Sequence, residues 1–226
     1  EIDVFEYASL LFNSLFLSIC AAILTIILGV FLVNTYITSN NIIIRLSVSI
    51  SRLGYALPGV VLALGVIVPL VTLDGYLKSI FGQYFNITIG LIFSGTMIAI
   101  IYAYVIRFLT ISYGTIESGF VTLNPDITAA SRVLGQSKYS TLLKIQLPII
   151  KPALIMSALL VFVDSMKELP ATLILRPFNF DTLATHVYTY ASLSQIEEAA
   201  LPALTIVFAG LFPIILINRE LVKNKN

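Results

Sequence analysis

The chain alternates long uncharged stretches with short polar segments, and this pattern predicts five membrane-crossing helices. Uncharged runs cover residues 7–44, 53–73, 79–106, 152–163 and 199–218. A helix needs about 20 residues to cross a hydrocarbon core of about 30 Å, so the fourth run is too short unless charged residues are included at its ends. The predicted spans are residues 9–33, 53–73, 89–110, 149–168 and 200–218.

Composition agrees with a membrane protein. Hydrophobic residues make up 58% of the chain and charged residues 11%, and the mean hydropathy is +0.98. These values lie outside the range of soluble globular domains, so membrane lipid is a predicted partner. The formal net charge of +1 gives no basic excess for binding nucleic acid. The single cysteine, Cys20, cannot form an intrachain disulfide.

Basic residues predict the direction of insertion. If the N-terminus is outside, ten basic residues fall in cytoplasmic segments: Arg45, Arg52, Arg107, Arg132, Lys138, Lys144, Lys151, Arg219, Lys223 and Lys225. The outer segments then contain only Lys78, Lys167 and Arg176. Membrane proteins usually have an excess of Lys and Arg in their cytoplasmic loops. We therefore expect the N-terminus outside and the C-terminus in the cytoplasm.

The sequence offers little chemistry for catalysis or metal binding. His186 is the only histidine, and the sequence has no nucleotide-binding loop, zinc-protease motif or nucleophile elbow. An interfacial aromatic belt explains His186 beside Tyr188 and Tyr190 better than a metal site does. We therefore predict no catalytic residue, no metal site and no cofactor bound by this chain, and any ATP hydrolysis must be performed by another subunit.

The longest predicted cytoplasmic segment, about residues 117–148, has the pattern of a helical hairpin. Asn124 and Pro125 predict the start of a helix, and Gly135 predicts its left-handed end. The apolar faces expected for the two helices consist of Ile127, Ala130 and Leu134, and of Leu142, Leu143 and Ile145. Pro148 is expected to open the fourth span.

This hairpin resembles the EAA loop of binding-protein-dependent ABC importer permeases. The family pattern is Glu-Ala-Ala, three residues, Gly, nine residues and Ile-x-Leu-Pro, and the chain keeps this spacing. Ala129 replaces the glutamate of the pattern, and Ser131 replaces its second alanine. The residues that the resemblance implies for coupling to an ATPase are Ala129, Ala130, Ser131, Arg132, Gly135, Ile145, Leu147 and Pro148.

The resemblance implies an all-α integral membrane fold, the MetI-like core of five transmembrane helices with a cytoplasmic coupling-helix hairpin. Residues 1–226 would form one permease domain in the bacterial inner membrane. Its implied partners are an ABC ATPase dimer that uses ATP, a second permease core, fused or separate, and an extracytoplasmic ferric-binding protein. The start at Glu1, just before the first span, agrees with the C-terminal half of a fused two-core permease, or with a chain trimmed of a leading helix.

A second segment, residues 162–185, resembles the ferric iron permeases of this superfamily; it contains the runs FVDSMKELPAT, LRPF and DTLAT. Asp164, Lys167 and Glu168 stand at i, i+3 and i+4, which predicts one shared helical face at the outer end of the fourth span. We predict that these residues and Pro170 line or gate the pathway. Two alternatives stay open: the charged side chains only anchor the helix end, or the substrate is thiamine, a polyamine, sulfate or phosphonate.

A membrane-embedded enzyme or assembly factor is the alternative from another functional class, and a stand-alone secondary transporter is a third. Both need polar side chains that meet inside the bilayer. The central portions of the first, second, third and fifth predicted spans contain no Asp, Glu, Lys or His. The sequence therefore favours a permease subunit that depends on a separate ATPase.

Overall fold

The computed structural model describes residues 4–223, and all regular structure in that range is helical, which confirms the predicted all-α membrane fold. The helices are α1 (Val4–Thr38), α2 (Ile42–Ser51), α3 (Gly59–Phe85), α4 (Met97–Val121), α5 (Pro125–Val133), α6 (Lys138–Thr141), α7 (Leu147–Ile149), α8 (Lys151–Met166), α9 (Pro170–Leu175), α10 (Leu183–Ser192) and α11 (Ile196–Lys223). A 3₁₀ turn, Gly54–Ala56, precedes α3, and a π-helical turn, Leu142–Gln146, joins α6 to α7.

Among the described residues, α1, α3 and α4 are each long and apolar enough to cross a membrane. A fourth candidate crossing consists of two helical pieces, Lys138–Ile149 and Lys151–Met166, which meet at a bend of 74°. α11 contains 28 residues, but the side chains of residues 212–214 and 216–226 lie outside the described part of the structure. Part of the predicted span 200–218 lies there, as do the side chains of Arg219, Lys223 and Lys225.

The second and third crossings differ from their predicted limits. α3 begins at Gly59 instead of residue 53, and it continues past Asp74. Asp74 does not end the helix because its buried carboxylate accepts hydrogen bonds from three backbone N–H groups, those of Ile92, Phe93 and Ser94. α4 begins after the N-cap Thr96 and extends 11 residues beyond the predicted end at residue 110.

The centre of the described bundle is formed by α1, α4 and α8. Ser112 of α4 donates a hydrogen bond to the backbone oxygen of Thr25 in α1, and it accepts one from Ser157 in α8, both at 2.9 Å. Gly29 and Gly119 lie where the helices approach most closely; a Cβ atom on Gly119 would be 2.6 Å from the Cβ atom of Ala153. Small residues of this kind allow helices to pack closely inside a membrane.

The hairpin predicted to be cytoplasmic has the expected helix, glycine turn and second helical segment. The Asn124 side chain accepts a hydrogen bond from the backbone of Asp126 at 2.9 Å, and Gly135 has a φ of +82°. Pro148, however, lies within α7, and the chain bends at Ile150 before α8 begins. The predicted helical start and the left-handed glycine are confirmed, whereas the fourth span opens later than predicted.

The predicted apolar face of α5 is not the face that packs. Ile127, Ala130 and Leu134 are all exposed, whereas Ser131 is buried and its hydroxyl lies 2.9 Å from that of Thr141. The Ser131–Thr141 contact holds the two arms of the hairpin together. The apolar side chains of Ile127, Ala130 and Leu134 therefore remain on the surface of the isolated chain.

Candidate functional site

A stripe of polar side chains runs along α4. Its members follow one another at intervals of three or four residues, so each lies beside the next and the stripe winds around the helix: Tyr104, Arg107, Thr110, Tyr113 and Glu117. Sequence reasoning missed this stripe because the third span was expected to end at residue 110. The spacing itself is visible in the sequence and would have revealed it.

An ion pair in the first half of α4 links this stripe to the turn between α8 and α9. Arg107 Nε lies 3.0 Å from Glu168 Oε2, and their side chains are only 18% and 7% exposed. The contact is ionic, since the Nε–H is not aligned for a hydrogen bond. Arg107 also donates a hydrogen bond from Nη1 to the backbone oxygen of Leu57 at 3.0 Å.

Glu168 is held from several directions. The hydroxyl of Thr172 donates to its backbone oxygen at 2.7 Å, and Tyr104 lies 2.6 Å from that Thr172 hydroxyl. The carboxylate faces Gly59, where a Cβ atom would lie 2.9 Å from Oε1 and 3.0 Å from Cβ of Pro170. The absence of a side chain at Gly59 therefore makes room for both Glu168 and Pro170.

The same stripe holds an irregular backbone segment, residues 52–58, that links α2 to α3. Thr110 donates to the backbone oxygen of Arg52 at 2.7 Å and accepts from the Tyr55 N–H at 3.3 Å. Arg52 also forms an ion pair with Glu117 at 3.2 Å. At membrane depth, non-helical backbone occurs only where protein buries it or where it lines a water-filled cavity.

A second ion pair lies on the exposed side of the Arg107–Glu168 pair. Lys167 Nζ is 2.9 Å from Asp164 Oδ1, and the Tyr55 hydroxyl lies 3.5 Å from Asp164 Oδ2. The Lys167 side chain is 62% exposed. The predicted single face for Asp164, Lys167 and Glu168 is therefore wrong. α8 ends at Met166, so Glu168 leaves the helix and pairs with α4 instead.

This network lies within the length of the α4 crossing. Arg107 stands ten residues after the first residue of α4 and 14 before the last, or about 15 and 21 Å along the axis. The prediction that Arg107 is a cytoplasmic residue while Glu168 is near the outer surface is wrong, because the two side chains touch. Both charges sit inside the bundle.

The predicted ATPase-coupling residues lie at the opposite end of α8, about 24 Å away along its 16 residues. Within that group, one side chain is buried, that of Ser131, and two are half-buried, those of Ile145 and Leu147. The others are exposed: Ala129, Ala130, Arg132, Gly135 and Pro148. The structure thus separates two regions, a polar network within the bundle and a hairpin at the end of the crossings.

His186 is buried in α10 and stacks on Tyr190 with ring centroids 4.3 Å apart. Within the described residues, its Nε2 atom has no hydrogen-bond partner. Burial lowers the pKa of His186, and the negative charge of Glu6 acts in the opposite direction. His186 therefore packs in the interior as an aromatic side chain against Tyr190.

No family model matches the chain. It is 28% identical over 224 residues to the Fe(3+)-transport system permease protein FbpB 2 of Haemophilus influenzae, covering 98% of this chain and 40% of that protein. It is 33% identical over 195 residues to the ferric transport system permease protein FbpB of Actinobacillus pleuropneumoniae, covering 83% and 27%. The chain therefore spans less than half the length of these curated relatives.

The fold also resembles that of a solved transporter. The structure matches a chain of the MetNI methionine ABC transporter in an inward-facing conformation with a TM-score of 0.63 and 13% sequence identity. The match covers 96% of this chain and 99% of that chain. At this level of identity the similarity concerns the fold alone.

Proposed function

Because the chain is a homologue of ferric-transport permeases and has the fold of an ABC importer permease, we propose that it is the transmembrane subunit that moves ferric iron through the bacterial inner membrane. The observation that carries this proposal is the exposed Asp164–Lys167 pair beside the irregular segment 52–58. It gives the bundle an accessible polar face at membrane depth.

Lipid is an unsuitable neighbour for that face. A lysine or aspartate at the bilayer centre costs about 2.5–3.5 kcal/mol on insertion scales, and Lys167 is largely exposed in the isolated chain. We therefore propose that this face is turned toward a second permease core, fused or separate, and that water and cargo pass between the two cores.

The hairpin supports a cytoplasmic ATPase dimer as a further partner. Val133 and Leu134 are 88% and 81% exposed at its tip, next to the glycine turn. Because the inner face is occupied by the Ser131–Thr141 contact, these apolar side chains are available for docking. In this proposal the ATPase binds and hydrolyses ATP, and the hairpin transmits its movement to α8.

The proposed orientation has the N-terminus outside and the C-terminus in the cytoplasm. Arg107 no longer counts among the basic residues predicted to lie in cytoplasmic segments. Those of the hairpin region still do: Arg132, Lys138, Lys144 and Lys151. This excess supports the same direction of insertion. An extracytoplasmic ferric-binding protein would then deliver cargo on the side of α10.

Iron uptake by the reconstituted transporter tests the proposal. The full transporter, with its ATPase and second core, is placed in proteoliposomes and supplied with ferric-loaded binding protein and ATP. Asp164→Asn and Lys167→Met should each lower uptake by roughly tenfold or more, because the polar lining of a conduit sets how cargo enters and leaves. Glu197→Gln, a change of an exposed acid in the first turn of α11, is the control.

Thermal unfolding checks that each variant is folded. Wild-type uptake in both Asp164→Asn and Lys167→Met would contradict the pathway assignment. Absence of ATP-dependent iron uptake by the wild-type transporter, together with ATP-dependent uptake of another supplied substrate, would contradict iron as the cargo.

A further inference from the structure

We propose that the Arg107–Glu168 ion pair is a latch that keeps the pathway closed to small ions between transport cycles. The inference rests on the proposed permease function. It assigns a distinct role to a pair that lies behind the exposed Asp164–Lys167 face, and it names Arg107 and Gly59 as residues that position Glu168.

The pair connects three parts of the chain that are far apart in sequence. Arg107 comes from the middle of α4, and Glu168 comes from the turn between α8 and α9. The Arg107 guanidinium also holds the Leu57 carbonyl of the irregular segment. Breaking this one contact would remove a buried link between the irregular segment, the α8–α9 turn and α4.

The latch is tightly enclosed. Glu168 Oε1 faces Gly59 and also accepts a hydrogen bond from the backbone N–H of Ala171 at 3.4 Å. The Arg107 and Glu168 side chains are less exposed than those of the Arg52–Glu117 pair, which lies further along α4 toward the hairpin. The pair is therefore largely shielded from solvent when formed.

A largely buried ion pair behaves as a two-state element. Separating the charges without water leaves each uncompensated at high cost, so the pair is either closed or open with water between its members. Movement of α8 by the hairpin would change the position of Glu168, which comes directly after the helix. The closed pair therefore excludes water, and its separation admits water and cargo together.

Passive leak provides the test. Proteoliposomes that contain the full transporter and trapped calcein are exposed to external Co²⁺ without ATP or binding protein, and quenching reports entry of the ion. Glu168→Gln and Arg107→Met should each raise the rate of quenching by roughly tenfold or more, because each leaves one buried charge unpaired and favours the hydrated state. The double variant Arg107→Met/Glu168→Gln removes both charges and should leak less than either single variant.

Glu197→Gln is the matched control, since it makes the same chemical change at an exposed acid outside the polar stripe of α4 and should not open the leak. If Glu168→Gln does not insert, Glu168→Asp keeps the charge but shortens the side chain, and it should give an intermediate leak. Folded single variants that are as tight as wild type would overturn the latch. The leak measurement needs neither ATP nor iron, so it is independent of the test of the proposed function. Absence of ATP-driven iron uptake by the wild-type transporter would contradict that function and not the latch.

Discussion

Replacing Gly54 with alanine should lift the irregular segment 52–58 away from α4. A Cβ atom on Gly54 would overlap the backbone oxygen of Ile106 and lie 2.8 Å from its carbonyl carbon. Ordinary carbon contacts are about 3.5–4.0 Å, so the segment must move by about 1 Å. The obstacle is the backbone of a packed helix, and a rotamer change cannot relieve the clash.

The size of the effect depends on the contacts that the movement would break. Overpacking costs about 1–3 kcal/mol. The displacement also strains the hydrogen bonds that Thr110 makes with this segment, each of which contributes about 1 kcal/mol. We expect a total loss of about 3–5 kcal/mol in the free energy of unfolding. For a chain of this length, the midpoint of thermal unfolding would fall by roughly 6–20 °C, at about 2–4 °C per kcal/mol.

The unfolding midpoint can be measured with a thiol-reactive dye, because Cys20 is the only cysteine and lies in α1. Gly114→Ala is the matched control; Gly114 is in α4, and no atom lies within 4 Å of a Cβ atom built there. That control should be neutral or slightly stabilising, since alanine favours the helix over glycine by about 1 kcal/mol. Equal midpoints for Gly54→Ala and Gly114→Ala would refute the close approach of residues 52–58 to α4.

Two further predictions concern the hairpin and α10. Gly135→Val should uncouple ATP hydrolysis from iron uptake, because a φ of +82° costs a β-branched residue at least about 1–2 kcal/mol. Gly135→Asn should keep more coupling, since asparagine tolerates this conformation better. Equal coupling in both variants would contradict the role of the turn. The second concerns acid stability: His186 has a lowered pKa when folded, so below its ordinary value of about 6.5 the unfolded chain binds a proton that the folded chain excludes. The free energy of unfolding should therefore fall as pH decreases from about 6.5 toward the folded pKa, and the slope should be smaller in His186→Gln; identical slopes in thermal unfolding would contradict this reasoning.

Local signals in the sequence predicted local structure well. Asn124, Pro125 and Gly135 define the ends of α5 through contacts with their immediate neighbours, so their roles could be read from a few residues. The approximate position of each apolar crossing was readable for the same reason, because hydropathy is a property of the segment itself. The orientation of the α5 apolar face was misjudged, since exposure depends on what the helix packs against.

Distant partners account for the errors. Asp74 looked like the end of a span because its three backbone donors come from a different segment. Glu168 looked like the third member of a helical trio because nothing in its own segment shows that Arg107 lies beside it, although Pro170 signals that a helix ends nearby. Whether a charge is compensated can be seen only in the assembled bundle. The position at which the chain leaves a helix depends on the same distant contacts.

The π-helical turn Leu142–Gln146 has a consequence for how such chains diverge. A π-turn is an α-helix with one residue inserted, and each residue of a helix rotates the next one by about 100° around the axis. Loss of a single codon in this turn would restore a regular helix and rotate the Gly135 tip around the axis by about that angle. A lineage could thus turn its hairpin toward a different surface of the proposed ATPase partner without altering any side chain of α5. A one-residue length difference at this turn between related permease genes therefore changes the direction in which the hairpin points. Such differences should occur together with sequence changes in the gene of the ATPase proposed to bind that hairpin.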